Sequence, residues 1–254
     1  MRTPFAVNGK GVETKKMIAN QLSLTEKQID SFDQFMLDGT GKTLDVLETM
    51  FGLDIDSSDS NIEIAQAANS EYLKHLGDGT LYTVSSALVG DMQGSILLLM
   101  RSSDFKSLSE AMRPVLSLLY LSNPEADLAT LDHQKLDWMQ DNGIQHNGET
   151  AFHEQMMDTL AEMGNVLIGL YSKAIYRISD LNTDHSVPYA LRDTDQQVIQ
   201  RVLASSEVSD QPYLVIENEF VVMDNPIKLW CVISPTQNSF QDILKRIERR
   251  EHHH

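Results

Sequence analysis

Apolar residues recur at intervals of three and four along several stretches of the chain, which is the spacing of helices that bury one face. The clearest stripe consists of Phe152, Met156, Leu160, Met163, Leu167, Leu170 and Ala174. An earlier stripe consists of Phe32, Phe35, Met36, Leu44, Leu47 and Met50. Shorter stripes around Leu108 and Ile243 indicate two further helices. The sequence therefore predicts two long helices and two shorter ones, with the first long helix loosened near Gly39 and Gly41 and stopped at Gly52.

Between these helices the composition is typical of β-strands. The strand-like runs are 81–89, 95–100, 213–216, 220–223 and 227–234. The first two runs flank a loop rich in glycine at 90–94, and a turn at 224–226 precedes the last run. Apolar and β-branched runs separated by short turn sequences predict antiparallel hairpins.

The order of elements is the same in the two halves of the chain. A long helix, strands, a hairpin and a closing helix occur twice, at an offset of about 130 residues, although the residues themselves differ. Such a repeat predicts one α/β (α+β) domain with pseudo-two-fold symmetry, its long helices packed on an antiparallel sheet. We place this domain at residues 31–251, with a first half at 31–121, a polar connector at 122–150 and a second half at 151–251.

The two ends of the chain are predicted to lie outside this domain. Residues 1–30 are predicted to form an N-terminal helical extension, in which the Ser23 to Glu26 segment has the pattern of a capping box. Residues 252–254 are three histidines that read as the remnant of a purification tag, and they are excluded from any argument about metal sites.

Charge and cysteine content limit the classes of partner and compartment. The chain carries 37 acidic and 20 basic residues, a net charge of −17. A surface of this sign repels polyanions, which argues against nucleic acid and anionic membrane as partners. The apolar runs are too short to cross a bilayer. Cys231 is the single cysteine and cannot form an internal disulfide, so we expect a cytoplasmic protein with a buried thiol at this position.

Two sequence motifs resemble known sites but lack essential residues. The segment 39–43 ends like a phosphate-binding loop, but Met36 stands where the first glycine is required. The segment 54–59 begins like a calcium loop, but Asp59 occupies the glycine position and Ala65 that of the bidentate glutamate. We therefore expect a solvated loop at 54–59. The native histidines show no metal-ligand spacing, so no metal site is predicted.

Three polar residues of the second long helix form a candidate site. Asp158, Glu162 and Asn165 lie at positions i, i+4 and i+7, which places them within roughly 60° of one another around the helix. The apolar stripe lies on the opposite side, so the three side chains are predicted to form an outward row on a well-anchored helix. Every amphipathic helix has a polar face, however, and this spacing alone does not distinguish a functional row from an ordinary solvated one.

A proline at a fixed distance from Asn165 makes the sequence pattern of this row more specific. Pro188 follows Asn165 after 22 intervening residues. The pattern Asp/Ser-x3-Glu-x2-Asn-x22-Pro resembles the signature of the CheC/CheX/FliY family of bacterial chemotaxis phosphatases, which act on the phosphorylated response regulator CheY. The resemblance covers approximately residues 31 to 249. It implies the same pseudo-symmetric fold of two halves.

The resemblance also implies roles for individual residues. Asn165 would orient the attacking water, and Glu162 would pair with a lysine that the receiver places beside its phosphate. Asp158 would support the helix face or a docking contact, and Pro188 would shape the neighbouring loop. The Mg²⁺ ion would be supplied by the receiver, so the chain would need no cofactor of its own.

The first half of the chain lacks an equivalent site. Aligning Gly39-Thr40-Gly41 with a glycine-rich stretch of two-site family members places Gln34 and Leu37 at the glutamate and asparagine positions. Leu37 cannot orient a water, so a single site is expected, as in CheX. The resemblance to CheX also allows for a homodimer of this chain. Two hypotheses follow. The chain is either a phosphatase of a CheY-like receiver domain, or a non-catalytic CheC-like interaction module that binds a receiver or a flagellar-switch-like partner.

Overall fold

The structure is a computed structural model. It describes residues 25–51, 55–66, 79–121, 148–194, 196–198, 200, 212–222 and 224–250. Most of the predicted N-terminal extension, nearly all of the predicted connector and the tag remnant lie outside the described residues.

The described residues form helices and strands in alternation. The helices are α1 (Glu26–Phe51), α2 (Ser102–Leu121), α3 (Gly148–Ser179) and α4 (Gln237–Arg250). The strands are β1 (Ile55–Gln66), β2 (Thr80–Gly90), β3 (Gly94–Arg101), β4 (Thr183–His185), β5 (Tyr189–Thr194), β6 (Pro212–Val222) and β7 (Asn225–Pro235). The two long and two shorter helices predicted from the apolar stripes are confirmed, and the described residues of the predicted runs 213–216 and 220–223 belong to one continuous strand that ends at Val222.

Helix α1 differs from the prediction in two respects. It runs unbroken through Gly39 and Gly41, and it begins at Glu26, so the predicted division at residue 30 falls inside it. Its capping box lies two residues later than predicted. The Thr25 hydroxyl accepts a hydrogen bond from the Gln28 amide at 3.3 Å, and the Gln28 carboxamide accepts one from the Thr25 amide at 2.9 Å. This reciprocal pair satisfies two amides that have no partner within the helix.

The predicted solvated loop at 54–59 is wrong. From Ile55 onward the chain forms strand β1, which pairs antiparallel with β6 from Ile55 opposite Val222 to Gln66 opposite Pro212. The alternating polar residues that resembled a calcium loop have the period of a strand at the end of a sheet. Its partner strand lies far away in the sequence, so the local pattern did not indicate the pairing.

The strands form one antiparallel sheet in the order β1-β6-β7-β3-β2-β4, with β5 also paired to β2. Strand β4 pairs with residues 88–90 of β2, and β5 pairs with residues 80–85 of the same strand. Together, β4 and β5 form one edge of the sheet. Neither strand was predicted, because both are short and their sequences are polar.

The sheet shows how the two halves fit together. Strand β1 follows α1 but pairs with the hairpin β6–β7 of the second half, while β5 follows α3 but pairs with the hairpin β2–β3 of the first half. Strands β3 and β7 pair at the centre and join the two hairpins. This exchange confirms the predicted pseudo-two-fold α+β fold, and it gives the two halves a single sheet.

A polar contact inside the core links α3 to the sheet. The Tyr171 hydroxyl, on α3, is fully buried and accepts a hydrogen bond from Nδ2 of Asn218 on β6 at 3.0 Å. It also contacts the side chain of Thr43 on α1, and burial raises the pKa of Tyr171 well above its ordinary value. The tyrosine is therefore a neutral hydrogen-bonding group between both long helices and the sheet.

We expect Tyr171→Phe to lower the free energy of unfolding by about 1–3 kcal/mol, because it removes a hydrogen-bond partner from buried polar groups. The matched control is Tyr176→Phe on the same helix, where the side chain is 51% exposed and the change should stay within about 0.5 kcal/mol. Urea denaturation measures both. Equal effects of the two substitutions would contradict a stabilising role for the buried contact.

Candidate functional site

The candidate site lies on the exposed face of α3. The side chains of Asp158, Glu162 and Asn165 are all exposed. The opposite face of the helix is buried in the main core through Met156, Leu160, Met163, Leu167 and Ile168. The row therefore projects outward from a helix whose other face is fixed by packing.

The exposed row extends beyond the three predicted residues. One turn after Asn165 the row reaches Gly169, which is partly buried, and it continues through the exposed Lys173 and Tyr176. Glycine contributes no side chain, so the row has a gap one turn after the asparagine. Carboxylates lie on one side of Asn165, and the gap and a lysine lie on the other.

Close contact with the sheet fixes the position of Asn165. A Cβ atom at the preceding residue, Gly164, would lie 2.4 Å from Cγ1 of Val84 on β2. Only glycine permits the helix backbone to approach the strand this closely. The residue next to Asn165 is therefore in direct contact with the sheet, which limits how far the asparagine can move.

Pro188 lies between β4 and β5, in a segment that is held against β2. The Ser186 amide donates to the Ala87 carbonyl at 2.9 Å, and the Ser186 hydroxyl accepts from the Ala87 amide at 3.0 Å. The Ser186 carbonyl in turn accepts from the hydroxyl of Ser86 at 2.7 Å. These three hydrogen bonds fix the loop, while Val187 projects from it with 89% of its surface exposed.

The structure brings to the candidate helix a histidine, His185, for which the sequence predicted no role. Nε2 of His185 lies 3.6 Å from the position that a Cβ of Gly169 would occupy. Nδ1 of the same ring lies 3.0 Å from the Ser186 carbonyl oxygen, and the His185 amide donates to the carboxylate of Asp184 at 2.8 Å. In the sequence, the only indication was the position of His185 three residues before Pro188. Its place beside α3 is set by the register of β4 on β2.

The charges of the row favour a cationic partner group. Asp158 and Glu162 lie one turn apart on an exposed helix face, where like charges destabilise the helix by a few tenths of a kcal/mol. A lysine or arginine of a partner placed between them would remove this repulsion. The first-half position Gln34, although exposed on α1, carries a neutral carboxamide in place of a carboxylate.

Among the described residues, no group of three or more His, Cys, Asp or Glu side chains is placed to hold a metal ion. No helix in the described part of the chain combines the length and the apolar character needed to cross a membrane.

Comparison with solved structures identifies the fold. FliY from Thermotoga maritima superposes with a TM-score of 0.58 at 13% identity, covering 89% of this chain and 98% of that one. The chain has the fold of FliY. A chain of the FliM–SpeE complex from H. pylori superposes with a TM-score of 0.52 at 11% identity, covering 90% and 98% of the two chains. A chain of the FliG–FliM complex from H. pylori gives 0.50 at 9% identity, covering 87% and 100%.

These similarities confirm the fold that the motif at Asn165 and Pro188 implied. No family model and no curated protein matches the sequence. At such low identity the comparison concerns the fold, and the activity must be argued from the side chains of the site.

The contact at Gly164 predicts an effect on stability. Gly164→Ala should lower the free energy of unfolding by about 1–3 kcal/mol, because the methyl group overlaps Val84 and forces the helix away from the strand. The control is Gly41→Ala on α1, where a Cβ would meet no atom within 4 Å. This control should instead gain about 0.5–1 kcal/mol, the usual preference of a helix for alanine. Urea denaturation distinguishes the two, and a stabilising Gly164→Ala would disprove the close approach.

Proposed function

We propose that the chain is a phosphatase of an aspartyl-phosphorylated CheY-like receiver domain, with a single active site on α3. The main support for this proposal is the exposed row of Asp158, Glu162 and Asn165, on a helix that packs closely against the sheet at Gly164. The FliY fold and the Pro188 spacing support it. The proposal depends on the side chains of the row, because the same fold can serve different functions.

Hydrolysis of the aspartyl phosphate requires little from the phosphatase. The acyl phosphate of a receiver is already activated, so the enzyme needs mainly to position a water in line with the phosphorus atom. The carboxamide of Asn165 has one acceptor oxygen and two donor hydrogens. Its oxygen accepts a hydrogen bond from the water, whose oxygen attacks phosphorus while the bond from phosphorus to the aspartate oxygen breaks. The aspartate leaves as a carboxylate, and the product is inorganic phosphate.

The other residues of the row serve recognition. The carboxylate of Glu162 pairs with the lysine that the receiver places beside its phosphate, and such a charge-assisted contact orients the receiver on the helix. Asp158 supports docking from the preceding turn, and Pro188 shapes the adjacent loop. Mg²⁺ enters with the receiver, so this mechanism requires no metal ligand from the chain itself.

A second candidate function is a non-catalytic interaction module. FliM, which shares this fold, has been solved in complexes with SpeE and with FliG. The exposed row could dock a receiver or a flagellar-switch-like protein without accelerating hydrolysis. The neutral Gln34 in the first half, where two-site phosphatases carry a glutamate, favours this alternative.

Phosphate release from phosphorylated CheY-like receivers tests the first candidate. Wild-type protein should accelerate release over spontaneous decay, and Asn165→Ala should lower this acceleration by about 10²-fold, since a positioned polar group is lost at the reacting water. Asn238→Ala, at an exposed asparagine of α4, is the matched control and should leave the rate unchanged. If wild-type protein accelerates release from none of several receivers of the source organism, the chain is not a phosphatase.

Binding to a receiver that carries beryllofluoride, a stable mimic of the phosphoryl group, tests the docking role of Glu162. Glu162→Ala should weaken binding by about tenfold or more, because one hydrogen bond to a charged group contributes roughly 1.5–3 kcal/mol. Glu110→Ala on α2 is the control, as this glutamate is also exposed on a helix but lies outside the row. Calorimetry measures both, and unchanged affinity of Glu162→Ala would exclude the proposed contact.

A further inference from the structure

The gap in the exposed row of α3 is bordered by an imidazole. Gly169 lies one turn after Asn165, and Nε2 of His185 is 3.6 Å from the position of a Cβ at Gly169. Residues one turn apart on a helix have Cβ positions about 5–6 Å from each other. The imidazole and the carboxamide of Asn165 therefore border the same stretch of helix surface, with no side chain of α3 between them.

The hydrogen bonds of His185 determine which ring nitrogen carries the proton. Nδ1 lies 3.0 Å from the Ser186 carbonyl oxygen, which can only accept, so Nδ1 is the donor. In the neutral ring Nε2 then holds a lone pair. The same carbonyl accepts the hydroxyl hydrogen of Ser86 at 2.7 Å, and the backbone of His185 pairs with Leu88. The ring is thus held in one tautomer with its acceptor nitrogen directed at the gap.

We propose that His185 is a further catalytic residue, whose Nε2 accepts a proton from the water that Asn165 orients. This inference rests on the proposed phosphatase function. The water oxygen forms a bond to phosphorus, the bond from phosphorus to the receiver aspartate breaks, and the aspartate leaves as a carboxylate. The water proton moves to Nε2 while Nδ1 keeps its hydrogen bond to Ser186. Because the ring is partly exposed, the imidazolium returns its proton to solvent.

Charged groups near the ring come from two elements. On α3, Lys173 lies one turn after Gly169, and Glu162 lies almost two turns before it. On β4, the carboxylate of Asp184 accepts the backbone amide of His185. The paired residues of β2, Leu88 and Val89, carry no charge. The neighbouring charged groups are therefore a lysine and a carboxylate on α3 and a carboxylate on β4.

The test is the pH profile of phosphate release from a phosphorylated receiver, corrected for spontaneous decay. The wild-type rate should rise with pH, because a protonated imidazole has no lone pair at Nε2 with which to accept the water proton. His185→Asn keeps a donor near the position of Nδ1 but removes the group at Nε2, so the rate should fall by about 10²-fold and the profile should become flat. His185→Gln places an oxygen near Nε2 that accepts a hydrogen bond without taking the proton. It should retain part of the rate, also with a flat profile.

Gly169→Ala is a second test that does not alter the histidine. Its methyl group would lie in ordinary contact with Nε2 at 3.6 Å and would occupy the gap where the water binds. The melting temperature should stay the same or rise, since alanine favours the helix, whereas the rate should fall. This opposite response distinguishes a catalytic role from simple packing of the ring on the helix.

The outcomes separate the two proposals. If wild-type protein accelerates release and the folded His185→Asn variant keeps both its rate and its pH profile, the role of His185 is overturned and the phosphatase proposal stands. If wild-type protein does not accelerate release, both proposals fail. If His185→Asn does not fold, Gly169→Ala decides, and an undiminished rate in that variant overturns the inference.

Discussion

The pairing of each half's strands with the hairpin of the other half is the constraint on which the rest of the structure depends. Strand β1 completes the sheet beside β6, β5 completes it beside β2, and β3 pairs with β7 between them. Backbone groups of a buried sheet must find partners, and here many of them find partners in the opposite half of the chain. The two halves therefore depend on each other for their sheet, although each has its own helix and hairpin.

The candidate site is a consequence of this exchange. Helix α3 belongs to the second half, but Gly164 seats it on Val84 of the first-half hairpin. The segment leading to Pro188 also belongs to the second half and is held on β2 through Ser86 and Ala87. Strand β2 is thus the common support of the asparagine and the histidine. A disturbance of this strand would alter the helix row and the loop together.

The two long helices show how one fold can carry different chemistry on equivalent elements. Both bury an apolar face, and the contact of Tyr171 with Thr43 links them inside the core. Their outer faces differ, because α3 presents Glu162 and Asn165 while α1 presents Gln34, which the sequence alignment predicts to stand at the glutamate position of the first half. The fold shared with FliY and FliM sets where such residues lie. In the proposed function, the residues themselves decide whether the phosphoryl group of a receiver is hydrolysed or the receiver is only bound.

The sequence by itself determined the elements that depend on local periodicity. The helices, both hairpins and the clustering of Asp158, Glu162 and Asn165 on one helix face follow from residues within a few turns of one another. The motif that ends at Pro188 also indicated the fold. Only the tertiary structure decided that 55–66 is a strand and that β4 and β5 form an edge of the sheet. It also brought His185 to the helix. These features depend on pairings such as that of Ser86 with Ser186, which lie 100 residues apart. A local pattern of side chains does not identify a pairing partner at that distance.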